Sequence, residues 1–299
     1  MEFKEELKKY QQIVNDELER YVKKEACYEK QLNEAVSYSL MAGGKRLRAI
    51  LVIDIYKLFK EDYERCLPFA MAIEMIHNFS LIHDDLPEID NDDFRHGKPT
   101  NHKKYNHATA LLAGDALFNY AYVVISSDIK KSCKQGNLEE IRNKVRTFNE
   151  LTLATDKMVA GEYLDTELEG KEISRELLEY IHKNKTGELL KIAVRMGAIL
   201  ANAPEEDVEK LTGFAKKIGL AFQIKDDILS EEGNEEIMGK PVGNDRKLNK
   251  CTYVSQYGLD KAKEELDRII ESALNDLEGY GNKANFLRNL TLYIKNREK

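Results

Sequence analysis

The sequence predicts an all-α protein with a single domain over residues 1–299, a bundle of about ten or more helices. Three observations predict it. Apolar residues recur at i, i+3, i+4 and i+7 through long stretches of the chain. Alternating strand patterns between turn signals are almost absent. No Gly/Ser/Pro-rich linker or low-complexity run divides the chain, whose five prolines stand at 68, 87, 99, 204 and 241.

Taken in order, the first helix spans about 4–20, where the charged, amphipathic "MEFKEELKKY" lacks the apolar run of a signal peptide. Helices over 28–42 and 46–60 flank "MAGGKRLRAILV", whose glycines break the periodicity. The segment 66–86, "CLPFAMAIEMIHNFSLIHDD", is apolar almost throughout and ends in acid. The segment 106–132 holds the most apolar stretch, "ALLAGDALFNYAYVVI", which Asp115 and Asn119 interrupt; the stretch is too short to span a bilayer. Helices follow over 138–169 and 173–202, and the second carries Lys185-Thr186-Gly187 inside its pattern. Thr and Gly in mid-helix can loosen or kink it and turn carbonyls toward a cavity. The last three helices cover 205–230, 258–278 and 284–296.

Composition removes some functions. Net charge is −7 and the pI about 5.6, which argues against a nucleic-acid binder, because a phosphate backbone demands a basic face. Cysteines 26, 66, 133 and 251 show no C-x-x-C spacing, so neither a zinc site nor a disulfide framework is indicated. With no signal peptide, no membrane span and no disulfides, a cytoplasmic enzyme is expected.

One unit occurs twice. Asp84-Asp85 is followed, after eleven residues, by Gly97-Lys98-Pro99, and Asp226-Asp227, after eleven residues, by Gly239-Lys240-Pro241. In both places the Asp pair is expected to close a long apolar helix. A helix C-terminus carries about −0.5 charge and disfavours anions. Carboxylates crowded there make sense if a cation binds between them. Oxygen-only ligands suit Mg²⁺, or Mn²⁺, rather than zinc. Mg²⁺ keeps several waters and shares itself with substrate phosphates, so Asp pairs beside Lys and Arg imply a phosphorylated substrate.

Periodicity adds neighbours. His77 and Ser80 share a helix face with Asp84, and Gln223 lies one turn before Asp226 and Asp227. A hydrogen-bonded core role for His77 weighs about equally. Gly43-Gly44 precede a helix with Lys45 and Arg48 one turn apart near its N-terminus, a weak signal of a second anion site.

These motifs together, "GGKRLR", "HNFSLIHDDLPEIDNDDFRHGKPT", "KTGEL", "GLAFQIKDDIL" and "GKPVGNDRKLNKCTY", resemble the trans-prenyltransferases, the polyprenyl diphosphate synthases, and among them most the bacterial farnesyl diphosphate synthases. The ordered motifs run from residue 43 to about 253, and the ending "YIKNREK" fits. The resemblance implies the isoprenoid synthase type of bundle around a deep central cavity, a homodimer, and Mg²⁺, three ions with substrate bound. It implies head-to-tail condensation of isopentenyl diphosphate with dimethylallyl or geranyl diphosphate to farnesyl diphosphate. Carried over by position, Asp84, Asp85, Asp90, Asp226 and Asp227 bind metal, and Asp84, Asp85, Lys185, Asp226 and Asp227 are catalytic. Arg95, Lys185, Thr186, Gln223, Lys240 and Lys250 grip the allylic diphosphate. Gly44, Lys45, Arg48, His77 and His96 hold isopentenyl diphosphate. Phe79 and Ser80, just below the first motif, limit chain length.

Two positions depart from the family pattern. The second motif reads "DDILS", so Ser230 stands where an Asp is usual and offers a weaker, neutral ligand to Mg²⁺. His96 stands where a second Arg is usual, which implies a weaker and more pH-sensitive grip on isopentenyl diphosphate. Geranylgeranyl diphosphate synthesis is the alternative product. A class I terpene cyclase also has Ser at the position of Ser230, but its next acid would fall at 234, which is Asn. A cyclase has no need of a second diphosphate site, and a regulatory subunit would not keep both Asp pairs.

Overall fold

The computed structural model describes residues 3–22, 28–171, 173–232 and 252–297. Its helices are α1 (Phe3–Val22), α2 (Lys30–Leu40), α3 (Leu47–Phe59), α4 (Leu67–Asp84), α5 (Asn101–Lys104), α6 (His107–Gln135), α7 (Leu138–Glu167), α8 (Arg175–His182), α9 (Glu188–Leu200), α10 (Glu205–Glu232), α11 (Tyr253–Tyr257), α12 (Leu259–Asp276) and α13 (Asn285–Asn296). A π-turn, Lys183–Gly187, joins α8 to α9, and 3₁₀ turns cover Tyr63–Cys66 and Glu278–Ala284. Strand pairing among the described residues is a two-residue hairpin, β1 (Phe94–Arg95) with β2 (Lys98–Pro99).

The fold is all-α, as the 3.6-residue periodicity predicts, and the long helices fall within a few residues of their predicted spans. Local chemistry explains several ends. Asn106 accepts from Thr109 N at 2.8 Å to start α6, and Gly136, at φ 73, returns its N–H to Ser132 O to end it. Thr252 and Ser255 form a reciprocal capping box on α11.

The chain forms two compact units, one of Met1–Phe148 with Ile199–Asn202, the other of Asn149–Ala198 with Ala203–Lys299. In the first, α4 is apolar over most of its surface and is packed by α1, α2, α3 and α6. In the second, α10 holds that place against α11, α12, α13 and the π-turn.

Three expectations need correction. The segment 173–202 is not regular α-helix throughout: helical backbone runs from Arg175 to Leu200, but a π-turn is embedded at Lys183–Gly187, where Thr186 and Gly187 are expected to loosen it. The pair Asp226-Asp227 does not close a helix, since α10 continues to Glu232 through "ILSEE". The helix-end argument therefore holds for Asp84-Asp85 alone. The third concerns α6, which runs past the apolar stretch at both ends and is, by length and composition, long enough to cross a membrane. Its small face, Ala110, Ala113, Leu117 and Ala121, is buried, and α6 packs on α4.

The first unit also contains a buried carboxyl. Asp54 on α3 is 4 % exposed, accepts from Tyr10 of α1 at 2.6 Å, and its Oδ2 has no hydrogen-bond partner. Burial raises its pKa to about 7, against the lowering effects of Tyr10 and Lys57. The unfolded carboxyl ionises near its ordinary 3.8, so the folded state holds the extra proton between about pH 4 and 7. Stability from this group is present at the acid end of that window and is lost as pH rises through it. Asp54→Asn is expected to remove that slope. Denaturant melts of both proteins at pH 5 and 7.5 check it, and equal pH slopes would refute it.

Candidate active site

In the first unit, α4 delivers Asp84 as its last residue and Asp85 as its cap. The chain then folds back, with Asp90 N on Asp84 O at 2.9 Å and Asn91 N on Leu86 O at 3.0 Å. The hairpin that follows turns on His96 (φ 53) and Gly97 (φ 75). Two successive positive-φ residues between paired strands mark a type I′ turn, which is why "HGKP" has glycine at its second corner. The hairpin aims Arg95 back at Asp85, with Nε 2.8 Å from Oδ1 and 2.9 Å from Oδ2. Asp85 is only 3 % exposed, so this two-pronged pairing answers a buried charge. Asp92 and Asp93 serve the loop. Their carbonyls accept from Thr100, and Asp93 pairs with Lys103 at 2.7 Å on the surface.

Cations collect beside this loop. A Cβ on Gly44 would lie 3.4 Å from Nε2 of His96, so the imidazole packs on the glycine and brings the "GGKR" loop to the "HGKP" hairpin. Lys45 precedes α3 rather than lying on it, while Arg48 sits in the first turn. Arg46, which sequence reasoning left unassigned, is 3 % exposed and turns inward to Leu40 O, Asn15 and Glu74. Arg48 is different. Its Nε is shut from solvent with no hydrogen-bond partner. Burial lowers its pKa to about 10, with Glu74 opposing. Burial first, then Arg48, Arg95, Arg46 and His96, holds His77 well below its ordinary pKa. His96 is lowered by burial, then by Arg95, Arg46 and Lys45. Neighbouring cations thus disfavour the charged forms of His77 and His96, and a bound anion would relieve both. Gly44, Lys45, Arg48, His77, Arg95 and His96 are thus gathered in one unit. Ser80 spends its hydroxyl on His77 O at 3.0 Å. Phe79 is buried and packs against Phe118, ring centroids 4.6 Å apart.

In the second unit, Gln223 donates to Asp227 Oδ1 at 3.2 Å and Tyr253 N donates to Oδ2 at 2.7 Å. Asp227 is buried, whereas the side chain of Asp226 is 44 % exposed. The π-turn presents Lys185, which donates to Glu162 at 3.0 Å and Asp165 at 2.6 Å. Burial opposes the lysine's charge, but Glu162 and Asp165 outweigh it and raise its pKa. Neither acid was singled out from sequence, although their i, i+3 spacing in "GEYLD" puts them on one face of α7. Gly161 makes this meeting possible, because a Cβ there would stand 2.4 Å from Lys185 N. A cavity of about 180 Å³ is lined by Asp165, Lys185, Thr186, Gln223, Asp227 and Thr252. His182 also lines it and is held neutral by burial, its pKa down to about 4. Ser230 lies one turn beyond Asp226, half-buried. Lys240 and Lys250 fall outside the described residues.

The donor set fits a hard divalent cation. Every acid in the two Asp motifs offers oxygen, and among the described residues no three His, Cys, Asp or Glu groups converge on one point. An ion held there must complete its shell with water or phosphate oxygens, as Mg²⁺ does.

Comparison with known proteins places this chain among one group. Residues 29–287 match the polyprenyl synthetase family. The chain is 43% identical to the farnesyl diphosphate synthase of Bacillus subtilis over 269 residues, covering 89% of each. It is 41% identical to the geranylgeranyl diphosphate synthase of Cyanophora paradoxa over 265 residues, 88% of this chain and 87% of that one. Among solved structures, an FPP/GFPP synthase from Zymomonas mobilis superposes with a TM-score of 0.84 at 32% identity, over 98% of both chains.

Proposed function

This chain belongs to the polyprenyl synthetase family, and on that premise we propose that it is a prenyltransferase making farnesyl diphosphate. It condenses isopentenyl diphosphate head-to-tail with dimethylallyl and then geranyl diphosphate. The observation that carries the residue assignments is the cluster in the first unit: a buried Arg48 Nε without a partner, among Lys45, His77, Arg95 and His96, next to Asp84 and Asp85. A guanidinium whose Nε is buried without a partner has a donor left for an anion, and a diphosphate supplies one.

The reaction needs charge managed at a leaving group. Asp84, Asp85 and Asp90 in one unit, and Asp226 and Asp227 in the other, offer oxygens to divalent metal, taken as three Mg²⁺ ions with substrate bound and replaceable by Mn²⁺. The metal supplies electrophilic stabilisation of the departing diphosphate. Lys185, Thr186, Gln223 and Arg95 hold the allylic diphosphate and stabilise the charge that grows as its C–O bond breaks. Lys240 and Lys250 are assigned to the same task. Gly44, Lys45, Arg48, His77 and His96 orient isopentenyl diphosphate so that its alkene meets the allylic cation. The released diphosphate takes the proton that completes the step.

Incubating the protein with labelled isopentenyl diphosphate, Mg²⁺ and C5, C10 or C15 starters tests the reading. A C15 product from the C5 and C10 starters is expected, and failure to elongate any starter overturns it. Dominant C20 product would instead make the protein a geranylgeranyl diphosphate synthase.

Two residues carry finer expectations. Phe79 lies five residues before Asp84 on α4, about 7.5 Å along the helix, where its ring would stop a C15 tail, beside the small Ser80. Phe79→Ala is expected to shift the main product from C15 to C20, read by chromatography of the dephosphorylated alcohols. An unchanged length would remove Phe79 from this role. His96, lowered by burial and by Arg95, loses its charge as pH rises, while arginine would not. Because its pKa lies below the ordinary 6.5, the ratio of isopentenyl diphosphate KM, wild type over His96→Arg, is expected to grow from pH 5 to pH 7. A constant ratio would refute it.

A single domain is supported by one family match running through residues 29–287. A soluble, cytoplasmic homodimer completes the proposal. Exposed Leu111, Leu112 and Val123 on α6, with Leu138 and Val145 on α7, supply an apolar surface for the second copy. Light scattering at the 34.4 kDa monomer mass would refute the dimer.

A further inference from the structure

The C-terminal segment makes a contact that the roles above do not use. Arg297 follows α13, and its side chain is 4 % exposed. Its Nη2 donates to Asp226 Oδ1 at 2.6 Å and to Phe222 O at 2.9 Å. The guanidinium lies 3.9 Å from the centroid of the Phe222 ring, and its Nε is buried without a hydrogen-bond partner. Phe222 and Asp226 are one turn apart on α10, so one face of that helix supplies a carboxylate, a carbonyl and a ring to a single cation.

The asymmetry of the pair matters. The arginine is buried, while the side chain of Asp226 stays 44 % exposed. A buried arginine needs its partner, because desolvating an unmatched guanidinium is costly. The carboxylate is therefore held from the protein side by Arg297 while its side chain stays partly exposed. We infer that Arg297 is a positioning residue for Asp226: it sets the direction of the carboxylate and offsets part of its charge, so that metal binds there well only when diphosphate accompanies it. This rests on the reading of Asp226 as a metal ligand. Partners behind a metal ligand orient it and tune its basicity. A cation in that place lowers the ligand's attraction for a bare divalent ion.

The inference separates two effects of opposite sign. Arg297→Gln keeps a hydrogen-bond donor and removes the charge. Its affinity for Mn²⁺ alone is expected to rise about five-fold, while kcat at saturating Mg²⁺ falls roughly ten-fold for want of a fixed carboxylate. Arg297→Lys keeps the charge and is expected to stay within about two-fold of wild type in Mn²⁺ affinity.

The test uses the full chain and follows free Mn²⁺ by electron paramagnetic resonance, with and without inorganic diphosphate, alongside Asp226→Asn. If Asp226→Asn weakens Mn²⁺ binding and Arg297→Gln leaves it unchanged or weaker, the role of Arg297 is wrong and the metal-ligand reading stands. If Asp226→Asn has no effect on Mn²⁺, both fall. If the Gln variant does not fold, the wild-type protein carries the test: inorganic diphosphate is expected to tighten its hold on Mn²⁺ beyond what diphosphate alone binds, and equal affinity with and without diphosphate overturns the inference.

Discussion

Asp85→Asn is expected to lower kcat by roughly 10³-fold, because it removes charge from two places at once. The carboxylate is an assigned Mg²⁺ ligand, and it also holds Arg95 through two nitrogens at 2.5–2.9 Å. An amide cannot match that fork with two acceptors, so Arg95 loses the partner that aims it. The loss should be in turnover and in Mg²⁺ dependence, and excess Mg²⁺ should not restore it. Asp93→Asn is the control. That acid lies in the same acidic run, but its side chain is 62% exposed and pairs with Lys103 at the surface. It should change kcat by less than about two-fold, as exposed pairs contribute little. Steady-state assays with labelled isopentenyl diphosphate over a Mg²⁺ series read both. An Asp85→Asn enzyme with a tenth or more of wild-type turnover would defeat the expectation.

Gly161→Ala is expected to produce the second large loss, without touching a charged group. A methyl at 161 would fall 2.4 Å from Lys185 N and 3.0 Å from the backbone carbon of Asn184. Backbone cannot swing aside as a flexible side chain can, so the π-turn must move away from α7. That shift carries Lys185 from Glu162 and Asp165. Overpacking of this kind costs about 1–3 kcal/mol. A displacement near 1 Å at Lys185, proposed to bind diphosphate, costs about 10²-fold in kcat. Gly213→Ala offers a comparison, because its nearest neighbour would be the end of Asp276, 3.9 Å away. Thermal melts and kcat of both variants check the pair. Equal activity in the two would show that Gly161 does not hold the π-turn in place.

Much of the fold was legible in the sequence because helices report themselves locally. A 3.6-residue period, a capping Asn106 and a terminal Gly136 act over a few residues each, and the long helices fell close to their predicted spans. The π-turn was half legible. Thr186 and Gly187 signalled weakness, but the turn forms where Gly161 and Gly219 let neighbouring helices approach, with Gly187 Cα 3.5 Å from a Cβ built on Gly219. The setting of the second Asp pair was not legible, because a run of acid looks like a helix end in sequence, yet α10, packed along its length, continues through Asp226-Asp227 to Glu232.

The candidate site divides in the same way. Sequence alone marks out the candidates proposed for metal and diphosphate, because residue type and spacing carry that information: the two Asp pairs, "GGKR", "HGKP" and "KTG". Tertiary structure alone decided what each charge faces. Arg46 and Arg48 are two residues apart, yet one is satisfied by Leu40 O, Asn15 and Glu74 while the other keeps an unpartnered Nε. Asp93 and Asp85 share one acidic run, yet one is solvated and the other buried on Arg95. Lys185 meets Asp165 across 20 residues, and Arg297 meets Asp226 across 71. No local pattern encodes such pairs. Burial sets the cost of a charge and packing sets its partner, and both arise only when distant segments close on one another.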